Sequence, residues 1–157
     1  MPPKLLFDIS EIDLNRTAFD LEGIRKRNSQ RFEMEMLDRI IHFDPEQGNI
    51  IAERTVKDGE FWARGHFPGQ PVFPGVLMIE SAGQMVSFFY SEMLKADKVL
   101  GFAACEDVKF RGMVTPGDTI TFLGKIIDLR TRISSFHTQG LVNGELRFQA
   151  KIVGMPL

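Results

Sequence analysis

Cysteine is almost absent: Cys105 is the single one in 157 residues. An intrachain disulfide is therefore excluded, and no thiolate set remains for a structural zinc. This usage agrees with a reducing compartment, and a cytoplasmic location is expected. Net charge is almost absent too. The 19 Lys and Arg against 21 Asp and Glu leave −2, so nothing global marks a nucleic-acid binder. No apolar run reaches the roughly 18–20 residues of a membrane span. The short patch Leu5-Leu6-Phe7 is cut by Asp8 and does not read as a secretory signal. Tyr and Trp occur once each, against 14 Phe and 8 Met. Bulky, purely apolar side chains must do the filling, either as a Phe-rich core or as the lining of a greasy channel.

What is present fits one domain with one core. Residues 1–30 read as a polar leading arm with a short helix over Leu21 to Arg27, and residues 31–157 as a single domain. Alternation through Phe32, Met34 and Met36 predicts a strand over Arg31 to Asp44. A turn at Pro45 to Asn49 leads to a second strand, Ile50 to Val56. Phe61 to Arg64 reads as a short extended piece. Pro74 suits the first position of a helix. From there to about Lys95 the residues Val76, Ile79, Ala82 or Gly83, Val86, Phe89 and Met93 recur at three or four, which spans about 30 Å at helical rise. Strand patterns follow at Val99 to Ala104, Val108 to Phe110, Thr119 to Asp128, Ser134 to Val142 and Glu145 to Val153. Asn143-Gly144 marks a two-residue hairpin. The order predicts an α+β fold, an antiparallel sheet with one long helix against it. One helix covers one face, so the other face is expected to meet solvent or another subunit.

The chemistry concentrates in Gly65 to Glu80, a Pro- and Gly-rich segment that carries His66 and opens the helix. His66 is flanked by Gly65 and Phe67-Pro68-Gly69, residues that fix unusual backbone angles around a side chain able to accept a proton near neutral pH. His42 and His137 sit in strand-like contexts and read as structural or surface histidines. Glu80 lies on the apolar-rich helix, in one stripe with Val76 and Gln84 at four-residue spacing. A glutamate there is either solvated or held for a purpose. The first turn of the helix leaves backbone N–H groups unpaired. The amides of Gly75 and Val76 can therefore face a carbonyl oxygen that gains charge. A base, an oxyanion site and an acid together suit proton abstraction beside a carbonyl followed by loss of a leaving group.

The run His66-Phe67-Pro68-Gly69, Pro71, Pro74-Gly75-Val76-Leu77, Glu80, Gln84 resembles, without gaps, the signature of the FabZ-type 3-hydroxyacyl-acyl-carrier-protein dehydratases. Leu37-Asp38-Arg39-Ile40, Lys109-Phe110-Arg111 and Val114 to Asp118 extend the similarity to nearly the whole domain. The resemblance implies a hotdog fold, with a sheet wrapped around a long helix. It also implies a homodimer joined sheet edge to sheet edge, commonly assembled as a trimer of dimers, whose active sites lie at the subunit interface. By the same resemblance His66 removes the C2 proton, Glu80 protonates the departing 3-hydroxyl, Gly75 and Val76 hold the thioester oxygen, and Gln84 supports Glu80. Neither metal nor organic cofactor is implied, and the partner is acyl carrier protein bearing a phosphopantetheine thioester. FabA-type relatives, which also isomerise the double bond, carry aspartate in place of Glu80, so a dehydratase without isomerase activity is expected.

The chain departs from the pattern at Ser29-Gln30-Arg31-Phe32-Glu33, where the family has a Pro-His-Arg-Tyr-Pro-like opening. Arg31 and an aromatic are kept, while the prolines and the histidine are not. The competing readings are a hotdog hydratase or thioesterase acting on coenzyme A thioesters, and a non-catalytic hotdog subunit that binds acyl carrier protein. Basic residues suited to an acidic carrier are Lys95, Lys98, Lys109 and Arg111.

Overall fold

The computed structural model describes residues 3–157. Its elements are α1 (Leu21–Arg25), a 3-10 turn (Phe32–Met34), β1 (Arg39–Asp44), β2 (Asn49–Thr55), α2 (Gly75–Leu94), β3 (Leu100–Phe110), β4 (Thr119–Leu129), β5 (Ser134–Val142) and β6 (Glu145–Pro156). The strands form one sheet in the order β1-β2-β4-β5-β6-β3, antiparallel throughout. The single long helix α2 lies against β2 to β6.

Local chemistry explains most boundaries. Asn143 and Gly144 both take positive φ, 50° and 77°, as the tight turn between β5 and β6 requires. Asp20 caps α1 by accepting from the Gly23 amide at 2.9 Å. Pro74 keeps an extended ψ of 133° and so stands as the cap of α2, one position outside the expected start. Lys95 closes α2 in the left-handed region with its N–H on the Ser91 carbonyl.

Three expectations change. Residues 31–38 do not extend β1. Phe32 has a φ of 58°, and the Met34 carbonyl and Met36 amide bond the Gln84 side chain rather than a neighbouring strand. Phe61 to Arg64 folds into turns, with the Ala63 amide on the Glu60 carbonyl and the His66 amide on the Trp62 carbonyl, both at 2.9 Å. The two short pieces 99–104 and 108–110 are one strand, β3, whose register against β6 slips at Phe102/Ala104 and again at Glu106/Lys109.

Phe73, Phe88, Phe89, Phe122, Phe136 and Phe148 are fully buried. They meet largely edge to face, as in Phe89–Phe136 at 5.7 Å and 74°, the arrangement that ring quadrupoles favour. The core reading of the phenylalanines thus holds for these six, whereas Phe32, Phe61, Phe67, Phe102 and Phe110 stay exposed.

The second sheet face is not left to solvent. Leu5, Leu6, Phe7, Ile9, Ile12 and Leu14 of the arm pack on a second apolar cluster of Ile41, Ile51, Leu123 and Leu141. Each gains part of the roughly 1.5–3 kcal/mol that full burial of such a side chain contributes. Two polar side chains pin the arm by its backbone. Gln139 accepts from the Leu6 amide at 3.0 Å and donates to the Lys4 carbonyl at 2.9 Å. Arg39, paired with Glu53, donates to the carbonyls of Leu14, Asn15 and Arg16 and to the Thr17 hydroxyl. The arm then enters the main core: Phe19 bridges Ile40 and packs on Phe88 at 4.9 Å. Arg27 reaches Glu92 on α2 at 2.7 Å. Burial alone would raise the Glu92 pKa, but the hydrogen bonds from Lys95 and Arg27 outweigh it and hold it below its ordinary value.

Gln139→Ala should cost about 1–2 kcal/mol in chemical denaturation and speed hydrogen exchange at the Leu6 amide. Unchanged protection at Leu6 would mean that apolar contacts alone hold the arm.

Candidate active site

His66 is gripped by its own loop. Its carbonyl accepts from the Val72 amide at 2.7 Å, and its ring Nδ1 lies 2.7 Å from the Val72 carbonyl. A carbonyl only accepts, so Nδ1 carries the proton and Nε2 keeps a free lone pair. Between these two anchors the Phe67 and Gln70 backbones bond each other in both directions at 2.9 Å. Gly69 there takes a φ of 73°, a conformation costly for any residue with a Cβ. Beneath the loop, buried Arg54 pairs with Glu60 and lies 4.9 Å above the Phe73 ring, while Trp62 meets Phe73 edge-on at 5.4 Å. This packed floor gives the loop its shape.

The Phe73 amide bonds the Val114 carbonyl at 2.7 Å, which places the start of α2 beside the end of β3. Intrahelical bonding starts with the Leu77 amide on the Pro74 carbonyl at 2.9 Å. The Gly75 and Val76 amides precede it and have no acceptor within the helix. A Cβ at Gly75 would stand 2.8 Å from the Phe110 ring, so glycine is needed for the helix end to meet that ring. Val76 is 70% exposed.

Glu80 lies half-buried one turn further along α2. Its Oε1 accepts from Gln84 Nε2 at 2.8 Å. Gln84 is 3% exposed; its Nε2 also donates to the Met34 carbonyl at 2.7 Å, and its Oε1 accepts from the Met36 amide at 2.9 Å. Asn28 donates to the Gln84 carbonyl at 2.9 Å.

The structure divides the expected residues between two cavities. His66, Gly75 and Val76 line one of about 500 Å³, whose walls are otherwise Val72, Phe73, Met78, Phe110, Gly112 and Met113. Glu80 and Gln84 line another of about 180 Å³, with Gln30, Gly83, Leu100, Phe102 and Ile152 among its walls. Within one chain, then, His66 and Glu80 face different cavities. Exposed apolar side chains line both: Phe102 and Leu157 the smaller, and Val76, Phe110 and Met113 the larger. Of the basic residues considered for a carrier, Lys95 pairs with Glu92 and Arg111 bonds Gln149. Lys109 lines a separate recess with His137 and Lys151.

Some of these participants escape sequence reasoning. Asn28 and Gln30 give no local signal. Gly83 does give one, because glycine inside a helix costs ~1 kcal/mol against alanine and needs a packing reason. Here the Phe102 ring occupies the place of its missing Cβ, 2.2 Å from where that atom would stand.

A sheet wrapped on one long helix, with a histidine loop at the start of that helix, is the hotdog architecture. Residues 28–151 match the FabA-like domain family. The chain is 36% identical over 134 residues to the 3-hydroxyacyl-[acyl-carrier-protein] dehydratase FabZ of Oenococcus oeni, covering 83% of this chain and 94% of that protein. It is 34% identical over 137 residues to the protein of the same name from Desulfotalea psychrophila, covering 85% and 91%. Among solved structures, the dehydratase heterocomplex ApeI:P from Xenorhabdus doucetiae superposes with a TM-score of 0.70 at 15% identity, over 85% of this chain and 90% of that one. The chain belongs to the FabZ family of 3-hydroxyacyl-acyl-carrier-protein dehydratases.

Gln84→Leu should leave the Met34 carbonyl and Met36 amide without partners and cost about 2–5 kcal/mol, read as a lower denaturation midpoint. A variant as stable as the wild type would show that segment 34–36 is held by other contacts.

Proposed function

We propose that this protein dehydrates 3-hydroxyacyl-acyl carrier protein to trans-2-enoyl-acyl carrier protein in acyl-chain biosynthesis, in the cytoplasm. The observation that carries the reading is the geometry of the unbroken His66 to Gln84 run. It puts an oriented imidazole and two free helix amides on one apolar cleft, and a braced carboxylate on a second.

His66 Nε2 takes the C2 proton, with Nδ1–H fixed on Val72 so that the ring keeps one tautomer and one direction. The electron pair of the broken C2–H bond forms the C2=C3 double bond as the C3–O bond breaks. Glu80 gives the departing oxygen its proton and water leaves. The Gly75 and Val76 amides receive the thioester oxygen as it gains negative charge, where preorganised donors are most effective. Gln84 acts through Glu80, holding its carboxyl group by one oxygen. The phosphopantetheine thioester itself acidifies C2, so these steps need no further group. The chain works as a homodimer, and the trimer of dimers is its larger assembly. His66 of one protomer then meets Glu80 of its partner, and the apolar rim lies between the protomers. The division of the pair between two cavities in one chain favours this reading. Solved structures with this fold also include a putative thioesterase, so the reading rests on the site run and the FabZ similarity rather than on the fold.

His66→Ala and Glu80→Gln should each lower kcat on 3-hydroxybutyryl-acyl carrier protein by ~10²–10⁴-fold with the fold intact. Mixing and re-equilibrating the two inactive variants should restore roughly a quarter of wild-type activity, because half of the dimers are then hybrids with one intact site each. Full wild-type turnover by either single variant removes that residue from the mechanism. No recovery on mixing, with subunit exchange confirmed by mass, places both groups in one chain's site.

A further inference from the structure

A basic recess of about 160 Å³ adjoins the cavity beside Glu80. Residues 25–29 and 31 form one side of it and residues 96–99 the other. Val99 lines both hollows, and Gln30, which lines the cavity, lies between Ser29 and Arg31 of the recess. Both sides are tied down. Arg27 reaches Glu92 on α2 at 2.7 Å, Asn28 donates to the Gln84 carbonyl at 2.9 Å, and Ser91 donates to the Lys98 carbonyl at 3.3 Å. The Val99 carbonyl accepts from the Leu157 amide at 2.9 Å. The charge here is one-sided, although the whole chain carries −2. Arg25 is matched by Glu22 and Glu35, and Arg27 by Glu92. Lys26, Arg31 and Lys98 pair with no carboxylate among the described residues. Against these three stands one lining carboxylate outside those pairs, Asp97. Arg31 donates to the carbonyls of Asn28, Gln30 and Arg25 at 2.8, 2.7 and 3.1 Å. Neutral carbonyls fix the guanidinium without cancelling its charge. Like charges gathered this way repel one another unless an anion enters between them.

We propose that this recess seats the phosphate of the substrate's phosphopantetheine group, with Lys26, Arg31 and Lys98 as its cationic partners. The proposal rests on the dehydratase reading and locates the anionic end of the substrate, where that reading places only the reacting end. The recess and the Glu80 cavity adjoin at Val99, so one elongated ligand can occupy both. The reach also fits. Twelve residues of α2 separate Glu80 from Glu92, about 18 Å at helical rise, and Glu92 holds Arg27 of the recess wall. An extended pantetheine chain has a comparable length between its phosphate and its thioester. The phosphate stays anionic at neutral pH, and its hydrogen bonds to lysine and arginine are charge-assisted, the strong kind. Lys26 precedes residue 28, where the match to the family begins, so the arm supplies part of the seat. Of the four basic residues considered for a carrier, Lys98 alone lines this recess.

The test uses two soluble substrates that differ only in the phosphate, the 3-hydroxybutyryl thioesters of phosphopantetheine and of pantetheine. In the full-length wild type, kcat/KM should favour the phosphorylated substrate about tenfold or more, chiefly through KM. That preference should shrink as salt is raised. In the double variant Lys26→Glu, Lys98→Glu it should be lost. Both side chains are exposed. The single variants Lys26→Gln and Lys98→Gln, each expected to show a reduced preference, repeat the test without reversing charge. A wild type that treats the two substrates alike overturns the proposal, and so does a preference that survives in the folded variants. A wild type that uses 3-hydroxybutyryl-acyl carrier protein but neither soluble thioester places recognition on the carrier's protein surface, which also overturns it. A wild type inactive on all three defeats the dehydratase reading, and the phosphate seat falls with it.

Discussion

The buried carboxamide of Gln84 is the joint on which the site and the front half of the chain both depend. A polar side chain on the packed face of a helix must find partners for its donors and acceptor. Gln84 finds them in Glu80, Met34 and Met36. That requirement draws residues 34–36 out of strand pairing and back across α2. It also sets the direction of the Glu80 carboxylate. Asn28 adds a bond to the Gln84 backbone, so the stretch that carries Gln30 is tied to the same helical turn. One side chain thus links the path of the chain to the aim of an acid.

The same economy appears at the loop. His66 is shaped by Val72 on both its carbonyl and its ring, and the loop rests on Trp62, Phe73 and the Arg54–Glu60 pair. No metal-sized cluster of His, Cys, Asp and Glu occurs among the described residues. All but the last three residues of the arm lie outside the region that matches the family, which begins at residue 28. The arm supplies the layer that α2 cannot, because a helix packed on one face of a sheet leaves the other without apolar cover.

What could be read from the sequence was local. The His66 to Gln84 run, the helix from its three-and-four spacing and the Asn143-Gly144 turn are each encoded locally, and the helix and the turn lie within a residue of where they were expected. What could not be read depends on partners far apart. Alternation at Phe32, Met34 and Met36 looks like a strand, but Gln84, 48 residues beyond Met36, decides otherwise. The arm looks like a polar leader because its apolar residues follow no helical or strand period. Their cover over Ile41, Ile51, Leu123 and Leu141 needs Gln139, 135 residues from Lys4. The five candidate residues could be picked out because they sit in one run. Their separation into two cavities could not, because β3 and β6 build the walls.

With α2 on one face of the sheet and the arm over β1, β2, β4 and β5 on the other, the exposed apolar rim at the cavities is formed by Val76, Phe102, Phe110, Met113 and Leu157. Any association along that rim would close both cavities to water in the same event. Dryness of the site would then be a property of concentration rather than of folding. Diluted below its dissociation constant, such a protein would keep its secondary structure and its core, yet lose the low-dielectric surroundings that give fixed donors their strength. Its specific activity would fade on dilution with no unfolding transition to accompany the loss.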